Sequence, residues 1–170
     1  VSTRRAFAAM KQDGKVVAWG SEKTGGDSSS VSSELSANVT AVFSTRDAFA
    51  ALKQGGEVVT WGDLSYGGDS SSVSSELSAN VTAVFSTSGA FAAMKQDGKV
   101  VAWGSDYSGG DSSDVRSELS ANVTAVFSTR DAFAALKQGG EVVTWGDEGY
   151  GGDSSSVRSE LSANVTAVFS

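Results

Sequence analysis

The sequence predicts an all-β chain made of four copies of one unit, packed face to face as the blades of a β-propeller. Three observations predict it. Trp19, Trp61, Trp103 and Trp145 follow one another at intervals of 42 residues, and Phe43, Phe85, Phe127 and Phe169 keep the same interval. Each unit holds three short β-forming runs separated by turn residues. The 170 residues include 20 Gly but no Pro, so glycine does most of the punctuation.

The second unit is representative of all four. Val39-Thr-Ala-Val-Phe43 is β-branched and aromatic, which suits a pleated strand. Ala48-Phe-Ala-Ala-Leu52 comes next, and its small apolar side chains suit a strand crowded by neighbouring blades. Those residues are also good helix formers. Glycine closes the run within one or two turns, however, which is too short for a stable helix. Lys53-Gln-Gly-Gly-Glu57 supplies a reversal, and sister units carry Asp13-Gly14 and Asp97-Gly98 there. Such pairs between apolar runs favour a type I′ hairpin, which needs positive φ at both central residues. Glu57-Val-Val-Thr-Trp61 is the third strand, closed by Gly62. The rest is a polar connection anchored by Val73 and Leu77, where only Ser-Ser-Glu-Leu-Ser-Ala-Asn can hold a helical turn.

The fold class expected is therefore a β-propeller of three- to four-stranded blades, four to the chain. The units span about 2–43, 44–85, 86–127 and 128–169 of a single repeat domain, 1–170. A three-stranded unit cannot bury its own faces, so copies must stack. The ring is preferred to a linear solenoid, whose coils usually run shorter. Val1 falls where Phe43 stands in the next unit, so the first unit lacks its opening strand, and a further copy of that strand occupies 164–169. The expectation is that strand 164–169 closes the first blade, either of its own chain or of a partner. Two chains joined head to tail would give an eight-bladed homodimeric ring with no free edge.

Composition excludes much chemistry. With no His and no Cys there is no Ser-His-Asp triad, no cysteine nucleophile, no disulfide and no ordinary zinc or haem ligand set. No enzyme activity, cofactor or metal is expected. The formal charge of −7 comes without any basic run, so neither nucleic acid nor an anionic membrane surface is an expected partner. Asp27, Asp69, Asp111 and Asp153 recur at one position, but Gly-Gly-Asp-Ser-Ser matches no calcium-loop pattern and is read as a turn cap. The four Trp residues are read as packing between blades. Asn38, Asn80, Asn122 and Asn164 each begin an Asn-Val-Thr glycosylation sequon, which is read as structural at a repeated strand start.

The units differ in few places. One is the dipeptide before Ala-Phe-Ala: Arg4-Arg5, Arg46-Asp47, Ser88-Gly89 and Arg130-Asp131. The other is the triplet before Gly-Gly-Asp: Glu22-Lys23-Thr24, Leu64-Ser65-Tyr66, Asp106-Tyr107-Ser108 and Glu148-Gly149-Tyr150. Near-identity elsewhere points to recent duplication or to design.

The runs Val39-Thr-Ala-Val-Phe-Ser44, Ala48-Phe-Ala-Ala-Leu-Lys53 and Asp97-Gly-Lys-Val-Val-Ala-Trp-Gly104 resemble the regulator-of-chromosome-condensation repeat. The likeness spans all four units and is nearest to the short-blade branch, that of the propeller-type β-lactamase inhibitor proteins. Two departures stand out: Gly-Gly-Asp-Ser-Ser-Ser-Val replaces the family's Gly-Gln and Pro after Trp-Gly, and four units replace about seven. The resemblance implies a non-catalytic, protein-binding propeller, with the loop after Trp-Gly lying at one face of the ring and often carrying aromatics that grip a partner. It thus places the candidate binding residues at Tyr66, Tyr107, Tyr150, Glu22, Asp106 and Glu148. The function expected is an assembly or protein-binding scaffold that self-associates. The alternative is a secreted or surface propeller that binds a protein or glycan through those Tyr-bearing loops. Guanine-nucleotide exchange, performed by longer-bladed relatives, fits the short blades poorly.

Overall fold

Alternation along each strand decides which way a blade faces, because successive side chains point to opposite sides of a sheet. In Ala48-Phe-Ala-Ala-Leu52 it puts Phe49 and Ala51 on one side and Ala48, Ala50 and Leu52 on the other. A computed structural model describes residues 1–170 and contains four antiparallel sheets and no α-helix. The first sheet pairs β1 (Ala6–Met10) with β2 (Val16–Gly20). The second runs β3 (Val39–Ser44), β4 (Ala48–Lys53), β5 (Val58–Gly62). The third runs β6 (Val81–Ser86), β7 (Ala90–Lys95), β8 (Val100–Gly104), and the fourth β9 (Val123–Ser128), β10 (Ala132–Lys137), β11 (Val142–Gly146). All three strands expected of a unit form where expected. No helix of the chain is long and apolar enough to cross a membrane.

Register places Phe49 opposite Trp61, Phe91 opposite Trp103 and Phe133 opposite Trp145. Each pair stacks, with ring centroids 5.1, 5.4 and 5.2 Å apart. The stacked pair is then covered by the preceding blade. Phe91, Ala93 and Trp103 pack against Ala48, Ala50, Leu52 and Val58. The same interface recurs between the first and second blades and between the third and fourth. It is the principal apolar contact in the molecule, and it explains why the middle strand is rich in alanine: a larger residue at Ala50 or Ala92, each fully buried, would hold two blades apart.

The connection between blades is more ordered than the sequence suggests. A 3₁₀ turn forms at Glu34–Ser36 and at Glu118–Ser120, where a helical turn was expected. Further 3₁₀ turns follow each Trp-Gly and each Gly-Gly-Asp. Leu35, Leu77 and Leu119 anchor this connection at 1–2% exposure. Asn38, Asn80, Asn122 and Asn164 adopt φ of 64–66°, the left-handed region that Asn tolerates better than most residues. The Asn of each sequon therefore has a backbone role. A reciprocal constraint acts on Gly56, where a Cβ would lie 2.6 Å from the Asn80 backbone nitrogen.

The two ends of the chain differ from its middle. β1 and β2 lack a third full strand; a Val1–Ser2 remnant bridges to Phe7 and Ala8. Phe7 and Trp19 stack like their counterparts, at 5.5 Å, yet they are 55% and 51% exposed. No blade covers them. Residues 164–169 do not close the first blade of their own chain. The Asn164 and Val165 N–H groups donate to Gly139 and Gly140, as Asn80 and Val81 donate to Gly55 and Gly56. Val168 and Phe169 then flank a cavity of about 70 Å³ beside Phe127, Phe133 and Tyr150. Residues 165–170 form no ladder, whereas the equivalent β3, β6 and β9 each pair with the strand that follows them.

Candidate functional site

The loop after Trp-Gly is shaped by one recurring device. A 3₁₀ turn at Glu22–Thr24, Leu64–Tyr66, Asp106–Ser108 and Glu148–Tyr150 is ended by a glycine with φ of 92–97°. This loop also receives the next blade's tryptophan. The indole N–H of Trp61 donates to the Gly25 carbonyl, that of Trp103 to Gly67 and that of Trp145 to Gly109, at 3.0–3.1 Å. Tryptophan thus packs between blades and locks the loop ahead of it. The carbonyl of Gly151, next in this series, has no tryptophan on it, and nothing lies within 4 Å of where a Gly151 Cβ would be.

Position within the triplet decides what each predicted binding residue can do. Glu22, Asp106 and Glu148 lead their turns and are exposed. Tyr107 is the middle residue and stands 85% exposed. Tyr66 and Tyr150 are third, where Thr24 and Ser108 are buried, and they turn toward the divergent dipeptide instead. The Arg46 guanidinium lies 4.5 Å from the Tyr66 ring centroid and donates to its hydroxyl; Arg130 lies 5.8 Å from the Tyr150 centroid. The three tyrosines therefore do not make one uniform surface.

The dipeptides, which carry no expected binding role, gather at the same rim. Backbone N–H groups of Arg4, Arg46 and Ser88 donate in turn to the carbonyls of Arg46, Ser88 and Arg130, at 2.7–2.9 Å, linking each blade to the next. Asp47, 3% exposed, accepts from Arg4 at 3.1 Å and Arg46 at 3.3 Å. Asp131 accepts from the Ser88 and Ser108 hydroxyls and lies 3.5 Å from Arg130. A signal was present in the sequence. Both stretches vary from unit to unit, and Ser108 of one meets Asp131 of the other across a seam.

The repeated aspartates bind their own turns. Asp27, Asp69, Asp111 and Asp153 accept from the backbone N–H of Ser29, Ser71, Ser113 and Ser155 at 2.8–2.9 Å. Those N–H groups hold all four carboxyls below their ordinary value of 3.8, with the serine hydroxyls adding to the effect. A lowered native value means that the stabilisation is present above the unfolded value and is lost as pH falls through the native one. The melting temperature should therefore stay level down to about pH 5 and fall below pH 4. In a variant carrying all four Asp→Asn changes, whose amide oxygens still cap the turns, that acid slope should be shallower. Thermal scans by circular dichroism between pH 7 and pH 2 measure both; equal slopes would remove the aspartates from the account.

No family model matches the chain, and no curated protein sequence matches it. Solved structures do. Human WBSCR16 superposes with a TM-score of 0.58 at 17% identity, over 96% of this chain and 50% of that one. Prp20p of Saccharomyces cerevisiae, a yeast RCC1 described with binding properties to Gsp1p and histones, gives 0.55 at 18% identity, over 85% and 42%. The receptor kinase CR4 ectodomain from Physcomitrella patens gives 0.54 at 18% identity, over 85% and 38%. The blades have the RCC1-like propeller fold. The chain spans half or less of each of these relatives.

Proposed function

We propose that this chain is a non-catalytic propeller scaffold whose first partner is a second copy of itself. Two copies join head to tail into an eight-bladed ring, in the manner of the short-blade propellers that bind proteins rather than transform them. One observation carries the reading: the open faces at the two ends are the two halves of an interface that the chain already forms three times. Phe7, Trp19 and Val17 present the face that Phe91, Trp103 and Val101 present inside the chain. Blade 4 offers the complementary half, with Ala134 and Leu136 half-buried, Ala132 and Val142 buried behind them, and the unoccupied Gly151 carbonyl and the 164–169 strand beside it. Such a contact is heterologous, so it either closes into a ring or grows without limit.

The same rim favours a second reading, a propeller that grips a protein or glycan. Tyr107 and Leu64, 85% and 70% exposed, stand free on adjacent loops, as large apolar side chains rarely do without a partner.

Solution mass tests the assembly. Light scattering on a sizing column should give about twice 17.3 kDa at micromolar concentration. A mass of 17.3 kDa at every concentration would overturn the ring, and a broad ladder of sizes would replace it with an open array.

A further inference from the structure

Resting on the two-copy ring, we propose that the seam between copies is an anion-binding site, lined by Arg130 of one copy and Arg5 of the other, and that a bound oxyanion of the phosphate type strengthens the ring.

Counting as in the first unit, position four of one dipeptide meets position five of the next at two internal seams. Between the first and second blades, Arg4 pairs with Asp47 at 3.1 Å. Between the third and fourth, Ser88 and Ser108 both donate to Asp131. Between the second and third, position five is Gly89, which brings no charge, and Arg46 lies on the Tyr66 ring. Every internal seam thus meets a carboxylate or a glycine at position five. Continuing the series, blade 4 brings Arg130 and Tyr150 to the seam, and the next copy brings Arg5. Arg5 is exposed and makes no ion pair within its chain, and the neighbouring Arg4 is committed to Asp47. Arg130 has one ion pair, with Asp131 at 3.5 Å, and its side chain is 66% exposed.

Two guanidinium groups therefore meet where the other seams neutralise or avoid charge. Like charges about 4 Å apart in water cost on the order of 1 kcal/mol, close to a fivefold change in affinity. A multivalent oxyanion accepting from both planar donor groups removes that repulsion, and the guanidinium fork suits it. Tyr150, half-exposed beside Arg130, forms the apolar wall.

The experiment is a dilution series read by sedimentation velocity on the full chain, in sodium chloride and in sodium phosphate of matched ionic strength, for the native sequence and for Arg5→Gly and Arg5→Asp. Arg5→Gly copies the internal Gly89 seam; Arg5→Asp copies Asp47 and Asp131. Phosphate should tighten self-association of the native chain about fivefold. Both variants should associate more tightly than the native chain in chloride and show no phosphate effect. Equal affinities for all three in chloride, or a phosphate effect that survives Arg5→Gly, would overturn the seam site while leaving the ring intact. Failure of every variant to associate in either buffer would overturn the ring itself, and the seam site with it.

Discussion

Phe91→Ala is expected to destabilise the chain by about 3–5 kcal/mol, whereas Phe7→Ala, the same change at the same repeat position, costs less than about 1 kcal/mol in the dilute monomer. The sequence around the two is alike; the surroundings are not. Phe91 is fully buried, stacked on Trp103 and covered by Ala48, Ala50 and Leu52 of the blade before it. Removing the ring leaves a cavity walled on two sides by sheets that cannot collapse into it. Phe7 is 55% exposed, so alanine there loses little burial. Urea unfolding of both variants, well below the self-association range, measures the difference. Equal costs would mean that the first blade is covered even in the monomer. At high concentration Phe7→Ala should become costly too, because a second copy would then bury it.

Trp19→Ala is expected to raise the dissociation constant of self-association about thirtyfold or more while leaving monomer stability nearly unchanged. A buried interface tryptophan commonly contributes 2 kcal/mol or more. Three copies of its contact are visible within the chain. Trp61, Trp103 and Trp145 are 3%, 2% and 5% exposed, and each donates to a glycine carbonyl 36 residues earlier. Trp19 is 51% exposed with no such acceptor, and the Gly151 carbonyl is an acceptor without a donor. The comparison that matters is with Trp103→Ala, which should unfold the chain before it affects association. Sizing and thermal melts of the two variants side by side separate the roles. A Trp19→Ala chain that associates like the native one would move the contact between copies to another surface.

Both expectations come from one physical feature, that identical residues gain different energies according to what covers them. The candidate binding residues show the same dependence. Tyr66, Tyr107 and Tyr150 look equivalent when the loops are read as triplets. A one-residue offset leaves Tyr107 free in solvent and turns the other two onto Arg46 and Arg130. Asp47 and Asp131 are likewise ordinary hydrophilic residues on paper, but the fold buries one and ties both to the blade before them.

The repeat, its length, the three strands of each unit, the glycine-bearing hairpin and the lack of any histidine or cysteine chemistry are all legible in the order of the amino acids. These are local matters: alternation, β-branching and the need for positive φ act within a few residues, and each unit states them afresh. That order also carries the offset between the opening and closing strands, which is a matter of counting. Packing of blade on blade sets which face of each is covered, leaves the first blade open to solvent rather than closed by residues 164–169, and brings the two variable stretches together at the seams. Those outcomes depend on contacts between residues about 40 positions apart. Nearly identical units cannot distinguish among them until a neighbouring blade is present on one side and missing on the other.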